Sequence, residues 1–118
     1  MSLKWEEGIK HTHYRVDGEW KEKPYEFHVV VTGDPELERE GIVVANMGVF
    51  LDKKDPFYPG VIYHLYVNPK HRREGIGKKL LEMAEEQICK TDFDTCKICV
   101  NPMNREAVNF YEKQGYKM

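Results

Sequence analysis

Between Lys70 and Lys79 the sequence reads KHRREGIGKK, with five lysines and arginines set around Gly75 and Gly77. A hydrophobic run, VIYHLYVNP, leads into it from Val61, and LLEMAEEQICK, an amphipathic helical pattern, leads out of it. The arrangement Arg72-Arg73-Glu74-Gly75-Ile76-Gly77, followed by Lys78, at a strand-to-helix junction is suited to anion binding. The first four backbone N–H groups of a helix lack intrahelical acceptors, and the helix dipole adds partial positive charge there. Phosphate is the natural ligand of such an end. Glycines let a ligand approach the backbone closely, and the flanking cations add charge. A Walker loop is excluded, because Arg72 stands where its first glycine belongs and Lys79 where it needs Ser or Thr. The dinucleotide fingerprint is excluded by Leu80 in its third small-residue position. A glycine pair at a helix start also serves as a bare tight turn.

Two other groupings could carry chemistry. Cys96 and Cys99 sit three apart in CKICVN, which reads as a strand, so their side chains point to opposite faces, and no second Cys or His pair at ligand spacing completes a zinc site. His11 and His13 would share a strand face but lack a third ligand. No metal is expected. The three cysteines are an odd number and fit a reducing compartment.

The elements that must position the glycine turn follow from patterning. Ile9 to Asp17 and Tyr25 to Thr32 read as strands, with Asp17-Gly18 a turn whose connection is lengthened by Lys21 to Pro24. Glu36 to Glu40 makes at most one helical turn. Ile42 to Leu51 is a third strand, and Asp52 to Gly60 is a loop. In the central strand, Val61, Tyr63, Leu65 and Val67 alternate with Ile62, His64 and Tyr66, giving apolar or aromatic side chains on both faces. The next helix places Ile76, Leu80, Leu81, Ala84 and Ile88 on one stripe. Ile98 and Val100 form a short strand. Asn104 caps a last helix with Ala107, Val108 and Tyr111 on one side, and Gly115 ends it. At 118 residues and a formal net charge of −2, the chain is expected to be one domain, residues 1–118, with nothing in its totals that suggests a nucleic-acid or membrane partner. It has no apolar run of the roughly 18 residues a membrane span requires and no secretory signal pattern, so a cytoplasmic location is expected.

Leu65-Tyr66-Val67-Asn68-Pro69, Arg72-x-x-Gly75-x-Gly77 and Leu80-Leu81 resemble the acetyl-CoA-binding motif of the GNAT superfamily of N-acetyltransferases. A second block, Val100 to Tyr116, is similar to the family's strand, Asn-capped helix, tyrosine and Gly-aromatic ending. Together they cover about half of the chain, and the first sixty residues carry no such motif. The resemblance implies an α/β (α+β) fold with a mixed, mostly antiparallel sheet flanked by helices. The N-terminal half would be reduced, because Glu36 to Glu40 is too short for the family's two helices, and the final strands would be truncated, leaving a sheet edge that a homodimer could cover.

For the site, the resemblance implies that the two central strands splay at a bulge to admit the pantetheine arm of acetyl-CoA. Leu65, Tyr66 and Val67 would contact it on one side and Asn104 on the other. Arg72, Arg73, Glu74, Gly75, Ile76, Gly77 and Lys78 would hold the pyrophosphate, and a backbone N–H near Tyr66 or Val67 would polarise the acetyl carbonyl. A neutral primary amine of a small molecule or protein would attack the thioester directly in a ternary complex. Tyr111 matches the family's tyrosine and would protonate the departing thiolate; by its pattern alone it reads as an amphipathic core residue with its hydroxyl satisfied. His64 stands near the position of the family's base on the central strand, and Asp52 and Asp55 are alternatives to it. The other reading is a non-catalytic acyl-CoA-binding or regulatory module.

Overall fold

The computed structural model describes residues 2–10, 13–22, 25–51, 60–90 and 96–117. Along the chain these form β1 (Lys4–Lys10), β2 (His13–Val16), β3 (Glu19–Glu22), β4 (Tyr25–Thr32), α1 (Pro35–Arg39), β5 (Ala45–Leu51), β6 (Gly60–Val67), α2 (Ile76–Cys89), β7 (Lys97–Ile98) and α3 (Arg105–Lys113). A five-stranded sheet runs in the order β1-β4-β5-β6-β7, while β2 and β3 form a separate hairpin. All neighbours in the main sheet are antiparallel except β6 and β7. This is the mixed, mostly antiparallel α/β architecture expected. No helix among the described residues is long and apolar enough to cross a membrane.

The N-terminal strand differs from the expectation. The partner of β4 is Lys4–Lys10, paired from Lys4↔Thr32 to Lys10↔Glu26, and not a strand over Ile9 to Asp17. An edge strand needs little apolar patterning: Leu3 and Trp5 pack on the core, while Lys4 and Glu6 stay exposed. Asp17 and Gly18, with φ of 52° and 82°, close β2 directly on β3. Two consecutive positive φ values are what a two-residue hairpin requires, so the hairpin is tight, and Lys21 and Glu22 belong to β3 and do not lengthen its turn.

The core lies on one face of the sheet. Phe27, Val29 and Val31 of β4 and Ala45, Met47, Val49 and Leu51 of β5 are all buried there, against Ile76, Leu80, Leu81, Ala84 and Ile88 of α2. The helical stripe read from the sequence is thus the buried stripe. Each large side chain in it contributes about 1.5–3 kcal/mol of burial. At the start of β6 a Cβ on Gly60 would collide with Ile88, which shows how closely α2 lies on the sheet.

Two irregularities in β6 matter for function. Its pairing with β5 runs Val67↔Ala45 and Tyr66↔Asn46, then resumes at Tyr63↔Gly48. Three steps in β6 therefore match two in β5, and the extra residue falls at His64–Leu65 as a bulge. The strict alternation read across Val61 to Val67 breaks there, and Tyr63 and Tyr66 share a face. On its other edge, β6 pairs with β7 only at Val61↔Lys97 and Ile62↔Ile98, with Cys99 N–H donating to the Ile62 carbonyl at 3.0 Å. Beyond Ile62 the two parallel strands part.

Candidate acyl-carrier cleft

Leaving β6, the chain makes a single 3-10 turn, Pro69–His71, whose first residues are fixed by the Asn68 side chain accepting from Lys70 N–H at 3.0 Å. The backbone then turns through left-handed values at Arg73 (φ 66°) and Gly75 (φ 80°) and enters α2 at Ile76. Gly75 serves as N-cap with no side chain to satisfy the first N–H groups, so those of the opening turn remain available to a ligand. On the opposite side, Asn104 caps α3 by accepting from Ala107 N–H at 3.2 Å.

Where β6 and β7 part, a cleft of about 390 Å³ opens. One wall is Leu65, Tyr66 and Val67 of β6. The second is Arg72, Arg73, Gly75, Ile76, Gly77 and Lys78. The third is Asn104, Glu106, Ala107 and Phe110. Every residue named from the sequence for a cofactor lines this cleft except Glu74, whose carboxylate lies 2.9 Å from His71 Nδ1. Tyr111 does not line it; its ring is 4% exposed and packs edge-on to Phe110 and Tyr116 at centroid distances of 5.3 and 6.0 Å. Burial pushes the Tyr111 phenol above its ordinary pKa. His64 lies at the bulge, and its side chain is outside the described residues, as are Asp52, Asp55 and His11.

The basic cluster is divided by the fold. Lys70 turns away to Glu36 and Asp34, and Lys79 sits over the Trp5 ring at 4.5 Å from its centroid. Arg72, Arg73 and Lys78 are the cations left at the cleft. Arg72 bridges the walls, donating from Nε to the Val67 carbonyl at 3.3 Å and pairing with Glu106 at 2.6 Å. Sequence reasoning missed His71, Glu106, Ala107 and Phe110 as lining residues. Phe110 had a signal, since it precedes Tyr111 on an amphipathic helix. His71 had none, because its partner is distant in the chain.

The glycines test whether a phosphate group fits. A Cβ on Gly75 would meet nothing within 4 Å, and one on Gly77 would only touch Phe110 and Val67 at ordinary contact distances of 3.5 and 3.6 Å. The fold itself therefore leaves room at Gly77, and the space a side chain would take belongs to the cleft. A diphosphate and its extended arm fit this combination of open backbone, three cations and a strand edge that, among the described residues, pairs with β7 only as far as Ile62.

An open mixed sheet that splits between two parallel strands beside a glycine turn defines the GNAT type of acyltransferase fold. The chain matches the family model described as an acetyltransferase (GNAT) domain over residues 24–118, and it belongs to that family. Among solved structures it is similar to a protein from Pyrococcus furiosus described as an acetyl transferase, at 25% identity and a TM-score of 0.60, covering 79% of this chain and 60% of that one. It is similar to a GNAT-family acetyltransferase from Staphylococcus aureus Mu50, at 17% identity and a TM-score of 0.63, over 78% of this chain and 53% of that one. It also shares the fold of AAC(6')-Iy in complex with the bisubstrate analogue CoA-S-monomethyl-acetylneamine, at 12% identity and a TM-score of 0.60, over 79% and 63% of the two chains. The chain thus spans between about half and two thirds of the length of these structures. Curated protein sequences yield no match.

Proposed function

We propose that this chain binds acetyl-CoA in the cleft and transfers its acetyl group to a primary amine of a small molecule or protein. The observation that carries the reading is that the parting of β6 from β7 and the glycine turn at the start of α2 open into one cleft. Membership of the GNAT family and the CoA-based analogue held by AAC(6')-Iy support it. When bound, acetyl-CoA supplies an acetyl group activated as a thioester. The chain's own residues then have separable tasks. Arg72, Arg73, Lys78 and the N–H groups of Ile76 to Lys78 hold the pyrophosphate by charge and by helix-end donors. The edge of β6 from Leu65 to Val67 offers backbone groups to the arm, and an N–H near Tyr66 or Val67 polarises the carbonyl. Asn104 and the apolar wall of Ala107 and Phe110 fix the arm from the α3 side.

Tyr111 is the proposed proton donor to the thiolate. Burial keeps its phenol protonated, as a donor must be, and its place next to Phe110 puts it one residue behind the cleft wall. His64, at the bulge where β6 leaves β7, is the proposed acceptor of the amine proton. The second reading, an acyl-CoA-binding module without transfer, is favoured by one observation, the burial of Tyr111 away from the cleft surface.

Calorimetric titration with acetyl-CoA tests the binding claim on the wild type and on a Gly75→Glu, Gly77→Glu variant. Binding by the wild type and at least about 100-fold weaker binding by the variant are expected, from a side chain and a charge placed against the diphosphate. An amine panel read by thiol release then separates the two readings. With transfer, Tyr111→Phe should slow turnover by about 100-fold while acetyl-CoA affinity holds. Tight binding with no turnover on any amine establishes the module.

A further inference from the structure

Among the described residues two polar side chains, Asp34 and His71, are buried with the core, and they touch each other. His71 Nε2 lies 2.6 Å from Asp34 Oδ2, and His71 Nδ1 lies 2.9 Å from Glu74 Oε2. A neutral imidazole has one N–H and one lone pair, so it can satisfy only one of two carboxylates and presents its lone pair to the other. An imidazolium donates to both. The hydrogen bond to Asp34 does most to raise the His71 pKa above its ordinary value, burial opposes it, and Glu74 adds to the rise.

The other charged groups around the ring come from three elements. From α1 and its cap, Asp34 also accepts from Glu36 N–H at 3.0 Å, and the Glu36 carboxylate pairs with Lys70. From the turn, Lys70 lies 3.5 Å from Asp34, while Arg72 faces Glu106 and Val67, and Arg73 lines the cleft. From α2, Lys78 faces the cleft and Lys79 faces Trp5. Lysine and arginine keep their charge well past the histidine range, which leaves His71 as the group whose proton sets the balance.

The contacts have two effects on the turn. The bond to Asp34 ties the start of the turn to the segment after β4, and the bond to Glu74 fixes its middle. Between them stands Arg73 in a left-handed conformation, which a non-glycine residue keeps only where its surroundings hold it. The second effect is electrostatic. Glu74 is the one acid in the run from Lys70 to Lys79, yet it alone of Arg72 to Lys78 does not line the cleft.

We propose that His71 is a positioning residue for anion binding, a doubly donating imidazolium that ties the turn to Asp34 and withdraws the Glu74 carboxylate from the cleft. The inference rests on the reading of Arg72 to Lys78 as a pyrophosphate site. Loss of the His71 proton sets a lone pair against one carboxylate. Glu74, whose side chain is 48% exposed against 1% for Asp34, is the one free to leave, and its charge then opposes a bound diphosphate.

The test titrates the full chain with acetyl-CoA and, separately, with adenosine 3′,5′-diphosphate, from about pH 7 to about pH 9.5. In that range the phosphates are already ionised, with a second pKa near 6, and lysines remain charged. Wild-type affinity for both ligands should fall by about tenfold or more as pH rises, the equivalent of one unfavourable charge contact. Glu74→Gln should flatten that fall, because its side chain carries no charge to release. His71→Gln should bind weakly at the lower end and show no fall, and NMR of the imidazole nitrogens should find both protonated at neutral pH. A wild-type affinity independent of pH, a Glu74→Gln profile that falls as steeply as the wild type, or a neutral His71 at pH 7 would each overturn the proposal. If His71→Gln fails to fold, the wild-type and Glu74→Gln profiles still decide it. A wild type that binds neither ligand at any pH removes the pyrophosphate reading itself, and a wild type that binds both with a flat profile removes only the role of His71.

Discussion

The two lips of the cleft are built by different physics. The turn from Asn68 to Gly75 is held by polar ties that end inside the protein, from His71 to Asp34 and Glu74, together with the side-chain bond from Asn68 to Lys70 N–H. The α3 lip is held chiefly by apolar and aromatic packing, with Tyr111 in the core, Ala107 and Phe110 against it, and Tyr116 donating to Glu85 of α2 at 2.8 Å. Its main-chain link to the sheet is the short β7. Polar ties specify a conformation, because each has one geometry in which both partners are satisfied. Apolar packing supplies stability but tolerates small displacements. The proposed anchor for a charged group therefore sits on the lip held by polar ties, and the apolar wall of the cleft sits on the lip held by packing.

Substitutions can break this contrast. Tyr111→Ala should have the largest effect on stability, about 3–5 kcal/mol for loss of a buried aromatic ring, read as a lower midpoint in chemical unfolding. If the α3 lip were fixed by polar ties instead, the loss would be far smaller. Acid and base should act on the other lip. The His71 pKa is raised, so its contribution is complete below its ordinary value of 6.5 and is lost as pH rises through the folded value. The Asp34 pKa is lowered, first by His71, so its contribution is complete above 3.8 and is lost as pH falls through the folded value. The contribution of this pair should therefore be complete between 3.8 and 6.5 and decline on either side, and Asp34→Asn should lower stability within that window and remove the decline on its acid side, in unfolding midpoints measured against pH. Asn104→Ala should cost about 1 kcal/mol through loss of the α3 cap. Glu106→Gln should cost at most about 0.5 kcal/mol, because its pair with Arg72 joins side chains that are 78% and 46% exposed and screened by water. A larger loss for Glu106→Gln would mean that the two lips are tied to each other and do not behave independently.

Much of the cleft could be read from the sequence because its parts are local. Gly75 and Gly77 announce the turn, the stripe from Ile76 to Ile88 announces α2, and Asn104 announces α3, each within one element. The strand from Val61 to Val67 was visible for the same reason. What sequence patterning could not give was tertiary. The bulge at His64–Leu65 depends on the register against β5, and the edge strand Lys4–Lys10 carries too few apolar residues to announce itself. The assignment of cations failed likewise: Lys70 and Lys79 look equivalent to Lys78 along the chain, and only their partners Glu36 and Trp5 take them out of the cleft.

The edge of β6 beyond Ile62 has a further consequence, for the company the molecule keeps in solution. A bare strand edge invites pairing with another chain and is a route to aggregation. Among the described residues no strand pairs with this stretch; it is short, it is kinked by the bulge, and its last carbonyl at Val67 accepts from the Arg72 guanidinium. A second sheet would meet a bent edge whose end is occupied by the paired side chains of Arg72 and Glu106. The same features leave room for a single flexible arm, so the edge is inhospitable to its own kind while open to a narrow extended ligand.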